Sequence, residues 1–348
     1  MDAASRRGHL IGIELRALVA QHLGRAVEVE PEPIPDGAAL VIDGTAWVRV
    51  RGSAARALGP AMAWALRRDA SALNLIAETD TGLLARRAER FTTPIEVWFP
   101  VERELLPAVR EPLAPPVAPA PEHLALSDRI VHAGAEVVIE HGVVAGEVRG
   151  LEVCRVVDEA TVGYLIDESG VPVAATMAGD ADQSSADGLR LEVGIGAADR
   201  EAFHLLHGDA PTPDALAAVV RSVAAHRRVD APHHALNRLA RERFNRWRVL
   251  ADPALVGAVS LEATEPPVPR PNLKDPVPCV AAGRADDGGP VTVVFSTGVY
   301  LDLVPFLADV QAITTDRVRV ALPRADLVPL TRDLAATLSR PVELVTVD

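Results

Sequence analysis

Two proline clusters constrain this chain more than any other feature. LPAVREPLAPPVAPAPE, residues 106–122, carries six prolines, and EPPVPRPNLKDPVP, residues 265–278, carries six more. Proline fixes φ and lacks a backbone donor, so neither stretch can form a long helix or a central strand. Both are expected to be semi-extended linkers (106–121 and 265–278), leaving segments 1–105, 122–264 and 279–348 to fold. A chain of 348 residues exceeds one ordinary core, which fits two or three domains.

The outer segments share a rhythm. In the first, a β-type run (Trp47 to Arg51) precedes a helical run (Ser53 to Arg68), then ALNLIAE (72–78), a second helical run (Thr81 to Arg90) and PIEVWFP (94–100). In the last, VTVVFST (291–297) precedes a helical run from Val299 to Ala312, then RVRVALP (317–323), a helix from Asp326 to Leu338 and RPVELVTV (340–347). Short apolar strands alternating with helices of this length predict βαβαβ units with parallel pairing. The expected fold class is therefore α/β: two βαβαβ half-sheet modules, related by duplication and packed together, flanking a middle α+β domain. Neither copy has a P-loop or GxGxxG turn. Ser296, Thr297 and Gly298 lie at a strand-to-helix turn, where they serve either as an anion site or as a plain N-cap.

The basic side chains are 34 Arg and one Lys, Lys274, so lysine chemistry could rest on that residue alone. A net charge of −13 argues against a general polyanion-binding surface. No apolar run approaches the roughly 20 residues that span a bilayer, and the N-terminus lacks the apolar core of a secretion signal. Cys154 and Cys279 form no metal-binding pair and fit a reducing compartment. A cytoplasmic protein without a membrane partner is expected.

The middle segment is the most chemically loaded. It opens with a helical run (Glu122 to Ala133). Along an alternating run from Glu147 to Val157, Glu152 is expected to share a face with Val148, Gly150, Cys154 and Val156. A carboxylate there must be paired or bind a metal. Residues 158–187 hold seven acids and no Lys or Arg, and read as an acidic hairpin or flap. In LRLEVGI, Arg190, Glu192 and Gly194 face one way, and Asp199, Arg200 and Glu201 begin a helix where its dipole favours acids. Two metal sites compete. Glu152 and Glu192, completed by Glu140, form one for Mg²⁺, which takes oxygen ligands. Glu201, His204, His207 and Asp209 form the other, for a transition metal. The bland alternatives are a helix-capping network at Asp199-Arg200-Glu201 and an ion pair of Glu152 with Arg190 or Arg149.

The order helix, acid-bearing strand, Glu-bearing strand, helix over about residues 122–210 is similar to the PD-(D/E)XK nuclease core. That resemblance implies a metal-dependent phosphodiesterase. Where the family carries Glu-x-Lys, this chain has Glu192-Val193-Gly194, so its catalytic cation must come from elsewhere, with Arg200 the candidate. Arginine can stabilise phosphate charge but cannot act as a base at neutral pH. LEVGIGAADREAFHLLHGDAPT (191–212), followed by HRRVDAPHHALNRLARER (226–243), also resembles a family of uncharacterised proteins from high-GC actinobacteria, which supplies no activity to carry over.

Residues 221–250 hold eight Arg against Asp230 and Glu242. Leu236, Leu239, Ala240, Phe244, Trp247 and Leu250 are expected to form the apolar stripe of one amphipathic helix. Arg238, Arg241, Arg246 and Arg248 lie mostly off it, as candidates for nucleic-acid phosphate or as a solvated face paired with the acidic flap. The sequence thus leads to a Mg²⁺-dependent, nuclease-like site. The alternative is a non-enzymatic scaffold or regulatory protein that binds a partner through its α/β modules.

Overall fold

The computed structural model describes residues 3–158, 164–166, 172–174, 188–196, 199–202, 213–231, 234–270, 272 and 275–348. Helix α1 (Ala3–Leu23) buries Ile11, Leu15, Leu18 and Val19, a one-face pattern, against Ala38, Leu40, Trp47 and Ile76. Those residues belong to a sheet of β1 (Glu32–Ile34), β2 (Gly37–Ile42), β3 (Thr45–Val50), β4 (Ala72–Ile76), β5 (Ile95–Val101) and β6 (Glu104–Pro107), bonded in chain order. Strands β3, β4 and β5 are parallel and are joined by α2 (Leu58–Leu66) and α3 (Thr81–Ala88).

The middle region begins with two short helices, α4 (Pro121–Leu124) and α5 (Ser127–His132). Strands β7 (Glu136–Glu140), β8 (Val143–Val148) and β9 (Leu151–Asp158) follow as an antiparallel meander. A separate hairpin pairs β10 (Tyr164–Ile166) with β11 (Pro172–Ala174), and β12 (Leu189–Val193) then returns antiparallel to β9. The four-stranded order is β12-β9-β8-β7. The expected single strand from Glu147 to Val157 is instead two strands. Arg149 (φ 50°) and Gly150 (φ 74°) form a two-residue turn with both φ positive, the geometry that closes a tight hairpin. Helices α6 (Pro213–His226) and α7 (Arg241–Ala251) complete the region. The expected continuous helix over 221–250 is broken between them, at a segment holding Asp230 and Pro232, and α7 restarts after Ala240 in a left-handed conformation (φ 42°).

The last part contains β13 (Ala258–Thr264), β14 (Cys279–Ala285), β15 (Pro290–Phe295), β16 (Arg317–Leu322) and β17 (Glu343–Thr346), again bonded in chain order. β15, β16 and β17 are parallel and are linked by α8 (Leu303–Ile313) and α9 (Pro329–Ala336). The terminal modules thus share strand order and helix placement.

By compactness the chain forms two units, one of residues 1–114, 255–259 and 282–348, the other of 115–254 and 260–281. The terminal modules therefore belong to one unit, and their packing is reciprocal. The equivalent helices α2 and α8 meet, α3 meets α8, and α9 meets α2. Phe91 and Leu338, each just beyond the second helix of its module, form an isolated bridge. Ser339 N donates to Arg90 O and Thr92 N to Thr337 O, both at 2.8 Å. This is the contact pattern of a pseudo-twofold pair. A buried Asp309, held by Arg87 (2.7 Å) and Arg86 (3.2 Å), adds a charged lock. The second proline cluster is no free linker. Pro266, Val277 and Pro278 are buried, and Glu265 accepts from His141 N at 2.7 Å. No helix among the described residues is long and apolar enough to cross a membrane.

Candidate functional site: a glutamate row met by arginines

The two faces of the middle sheet differ in chemistry. One packs Val144, Val148, Leu151, Cys154, Val156, Leu191 and Val193 against Ile130 of α5 and Leu216, Val220 and Val223 of α6. On the other, register aligns Glu136 of β7, Glu147 of β8 and Glu152 of β9, while Arg155 stands opposite Glu192 of β12. Glu152 does not share a face with Cys154 and Val156, as simple alternation predicts. Gly146 pairs with Cys154 but Glu147 with Glu152, so Val153 is an extra residue, and this β-bulge resets which side chains face the core. The bulge also lets Glu152 and Arg155, three apart, point the same way and pair at 2.7 Å.

Guanidinium groups meet Glu147, Glu152 and Glu192. Glu152 Oε1 accepts from Arg155 Nε (2.8 Å) and Arg200 Nη1 (3.1 Å), and its other oxygen lies 3.6 Å from Arg270. Glu192 Oε1 accepts from Arg190 (2.8 Å) and Oε2 from Arg200 Nε (3.2 Å). Arg200 therefore joins Glu152 to Glu192. Glu140 belongs to a second cluster: Arg243 donates to both its oxygens and, at 2.7 Å, to Glu147, while Arg246 lies 3.4 Å from Glu140 and 3.5 Å from Glu147. Trp247 Nε1 donates to Glu136 at 3.1 Å. Glu147, Glu152, Arg190, Arg200, Arg243 and Arg246 are all buried.

The electrostatics follow from this packing. Burial acts to raise the pKa of Glu147, but Arg243, Arg246 and Arg270 outweigh it and hold the carboxyl below its ordinary value. Burial acts against the charge of Arg243, and Glu147 and Glu140 more than restore it. Arg200 is lowered by burial and by Arg155. Glu242 is raised by burial, and its Oε1 has no hydrogen-bond partner among the described residues. Burial pushes the Cys154 and Cys279 thiols up to about 12, so neither is an activated nucleophile.

Arg227 holds the arginine-bearing helix in place. Fully buried, it donates to the carbonyls of Arg149 (2.8 Å), Leu236 (2.6 Å), Leu239 (2.8 Å) and Ala240 (2.9 Å), fixing the turns that lead into α7. Its guanidinium lies 5.0 Å from the ring centroid of Phe244.

The sequence-predicted residues divide accordingly. Glu152, Glu192 and Arg200 converge, with the arginine between the carboxylates, while Glu140 does not join them. Arg246 is a correction: it is buried in ion pairs and unavailable to phosphate, because the break after α6 turns it onto the sheet. Arg238 and Arg241 are exposed, and Arg248 is half-buried with interactions within the chain. Among the described residues, no three His, Cys, Asp or Glu side chains are grouped as metal ligands. Of the second metal set, Glu201 is exposed, while His204, His207 and Asp209 lie outside the described residues, as does most of the acidic flap. Gly298 N donates to Asp326 Oδ2 at 2.6 Å, so this amide is not open to an anion, and α8 begins only at Leu303. Glu147, Arg227, Arg243 and Arg270 were not singled out by sequence; only the density of arginine around 221–250 pointed toward some of them. No family model, curated protein or solved structure matches the chain.

Proposed function

We propose that this protein is a non-catalytic scaffold or regulatory protein, whose middle unit is an ion-paired platform. The observation that carries this reading is the engagement of Glu152 and Glu192 by Arg155, Arg190 and Arg200. Mg²⁺ needs oxygen donors with lone pairs directed at it. Both oxygens of Glu192 already accept from guanidinium groups, and a dication beside Arg155, Arg200 and Arg270 would meet like charge. The residues therefore do not fit Mg²⁺, and no hydrolytic step is derived through it.

The test uses the full chain. Calorimetric titration with MgCl₂ and MnCl₂ should give no saturable heat, and single- and double-stranded DNA and RNA should survive incubation with either metal. Cleavage that requires metal and disappears in Glu192→Ala would overturn the proposal in favour of the nuclease-like site. Binding of a single-stranded oligonucleotide that is lost in Arg238→Glu/Arg241→Glu would make nucleic acid, through the 221–250 arginines, the partner.

A further inference from the structure

We propose that the N-terminal α/β module binds a guanidinium group in a pocket at the carboxyl end of α1. This goes beyond the scaffold reading and stands whether or not the middle unit is catalytic. Trp47, Asn74 and Glu96 are register partners on β3, β4 and β5, so their side chains stand side by side on one sheet face. Helix α1 covers this face and stops at Leu23. Beyond its end lies a cavity of about 220 Å³, lined by His22, Asp43, Thr45, Trp47, Asn74 and Glu96 among others. That volume is below the range of sites for cofactors or drug-sized ligands and suits one small group.

The lining selects a planar cation. His22 and Trp47 line the pocket, and His22 sits edge-on to Trp47 (5.4 Å between centroids) and to Trp98 (4.7 Å), which adjoins His22 outside the lining. Trp98 Nε1 donates to Asn74 Oδ1 at 2.7 Å, which fixes both side chains. Asp43 already pairs with Arg25. Glu96 is exposed and has no hydrogen bond or ion pair among the described residues. The carboxyl end of α1 adds a partial negative charge. The Trp47 ring, an uncommitted carboxylate and a helix C-terminus all favour a cation. A guanidinium uses them best, because its planar group packs against an aromatic ring while giving a carboxylate two parallel N–H bonds.

The experiment follows the tryptophan indole N–H resonances of the full chain during titration with N-acetylarginine methylamide, its neutral citrulline counterpart, and the peptide Gly-Gly-Arg-Gly-Gly. The arginine probes should shift the Trp98 and Trp47 signals saturably, citrulline should not, and Glu96→Gln, an exposed substitution, should weaken binding about tenfold or more. Tighter binding of the peptide assigns the guanidinium to a partner polypeptide, and equal binding assigns it to a free small molecule. Absence of saturable shifts with both arginine probes, equal binding of citrulline, or undiminished binding by Glu96→Gln would overturn the proposal.

Discussion

Replacing Glu147 with glutamine tests the ion-paired platform directly. Glu147 is 3% exposed and lies 2.7 Å from Arg243 and 3.5 Å from Arg246. The amide keeps the shape but removes the charge, leaving those two arginines to share Glu140. Breaking a buried pair by removing one partner costs about 3–5 kcal/mol, because the remaining charge stays desolvated. At roughly 2–4 °C per kcal/mol for a unit of this size, the melting transition should fall by about 6–20 °C at pH 7. The paired replacement Glu147→Met/Arg243→Met should recover much of the loss, since no unpaired charge is then created. The pH dependence has a definite sign. The folded pKa of Glu147 lies below 4.5, so its contribution is present above that value and is lost as pH falls through the folded pKa. Wild type and Glu147→Gln should therefore converge in acid. Thermal unfolding followed by circular dichroism from pH 3 to pH 8 measures all three quantities. A Glu147→Gln melting curve matching wild type at pH 7 would refute the claim that these charges depend on each other.

Three further outcomes follow from the same physics. Arg227→Met strands the carbonyls of Leu236, Leu239 and Ala240 and should cost about 3 kcal/mol or more, with faster amide exchange in residues 235–251 than elsewhere; uniform exchange would argue against a clamp. Glu242→Gln should stabilise the protein by about 1 kcal/mol at neutral pH, because a carboxyl with a raised folded pKa weakens the fold once pH rises past its unfolded value; a lower melting temperature at pH 7 would contradict this. Burial lifts Asp302, in the α8 approach, to about 6 from 3.8, so it should make stability fall as pH rises across that interval, a slope that Asp302→Asn should remove in a pH series of melting curves.

The terminal modules were legible because strands covered on both faces appear as apolar runs, such as LNLI and VTVVF, at helix-length intervals. Asp43-Gly44 between LVI and TAWV is a local signal of the β2–β3 hairpin, whose turn has φ of 50° and 76°. The bulge at Val153 left no comparable mark, since one inserted residue is decided by how neighbouring strands pack. It nevertheless moved Glu152 from the apolar face to the charged one. For the same reason the arginine-rich stretch was visible as composition but not as geometry. The break after α6 and the Arg227 contacts decide that Arg246 turns inward while Arg238 and Arg241 remain outside.

The sequence by itself determined the α/β rhythm, the parallel strand triplets and an unusual store of arginine. The tertiary structure decided what that arginine does. Arg200 meets Glu152 across 48 residues and Arg243 meets Glu147 across 96, separations that no local pattern encodes. Burial makes an unpaired charge costly, so chain segments remote in sequence settle where Glu147 and Glu152 each find a guanidinium. Glu140, Glu152 and Glu192, which spacing alone offered to a metal, are neutralised by guanidinium groups, while Glu96, unremarkable in the sequence, stands without a partner among the described residues at a pocket it shares with Trp47.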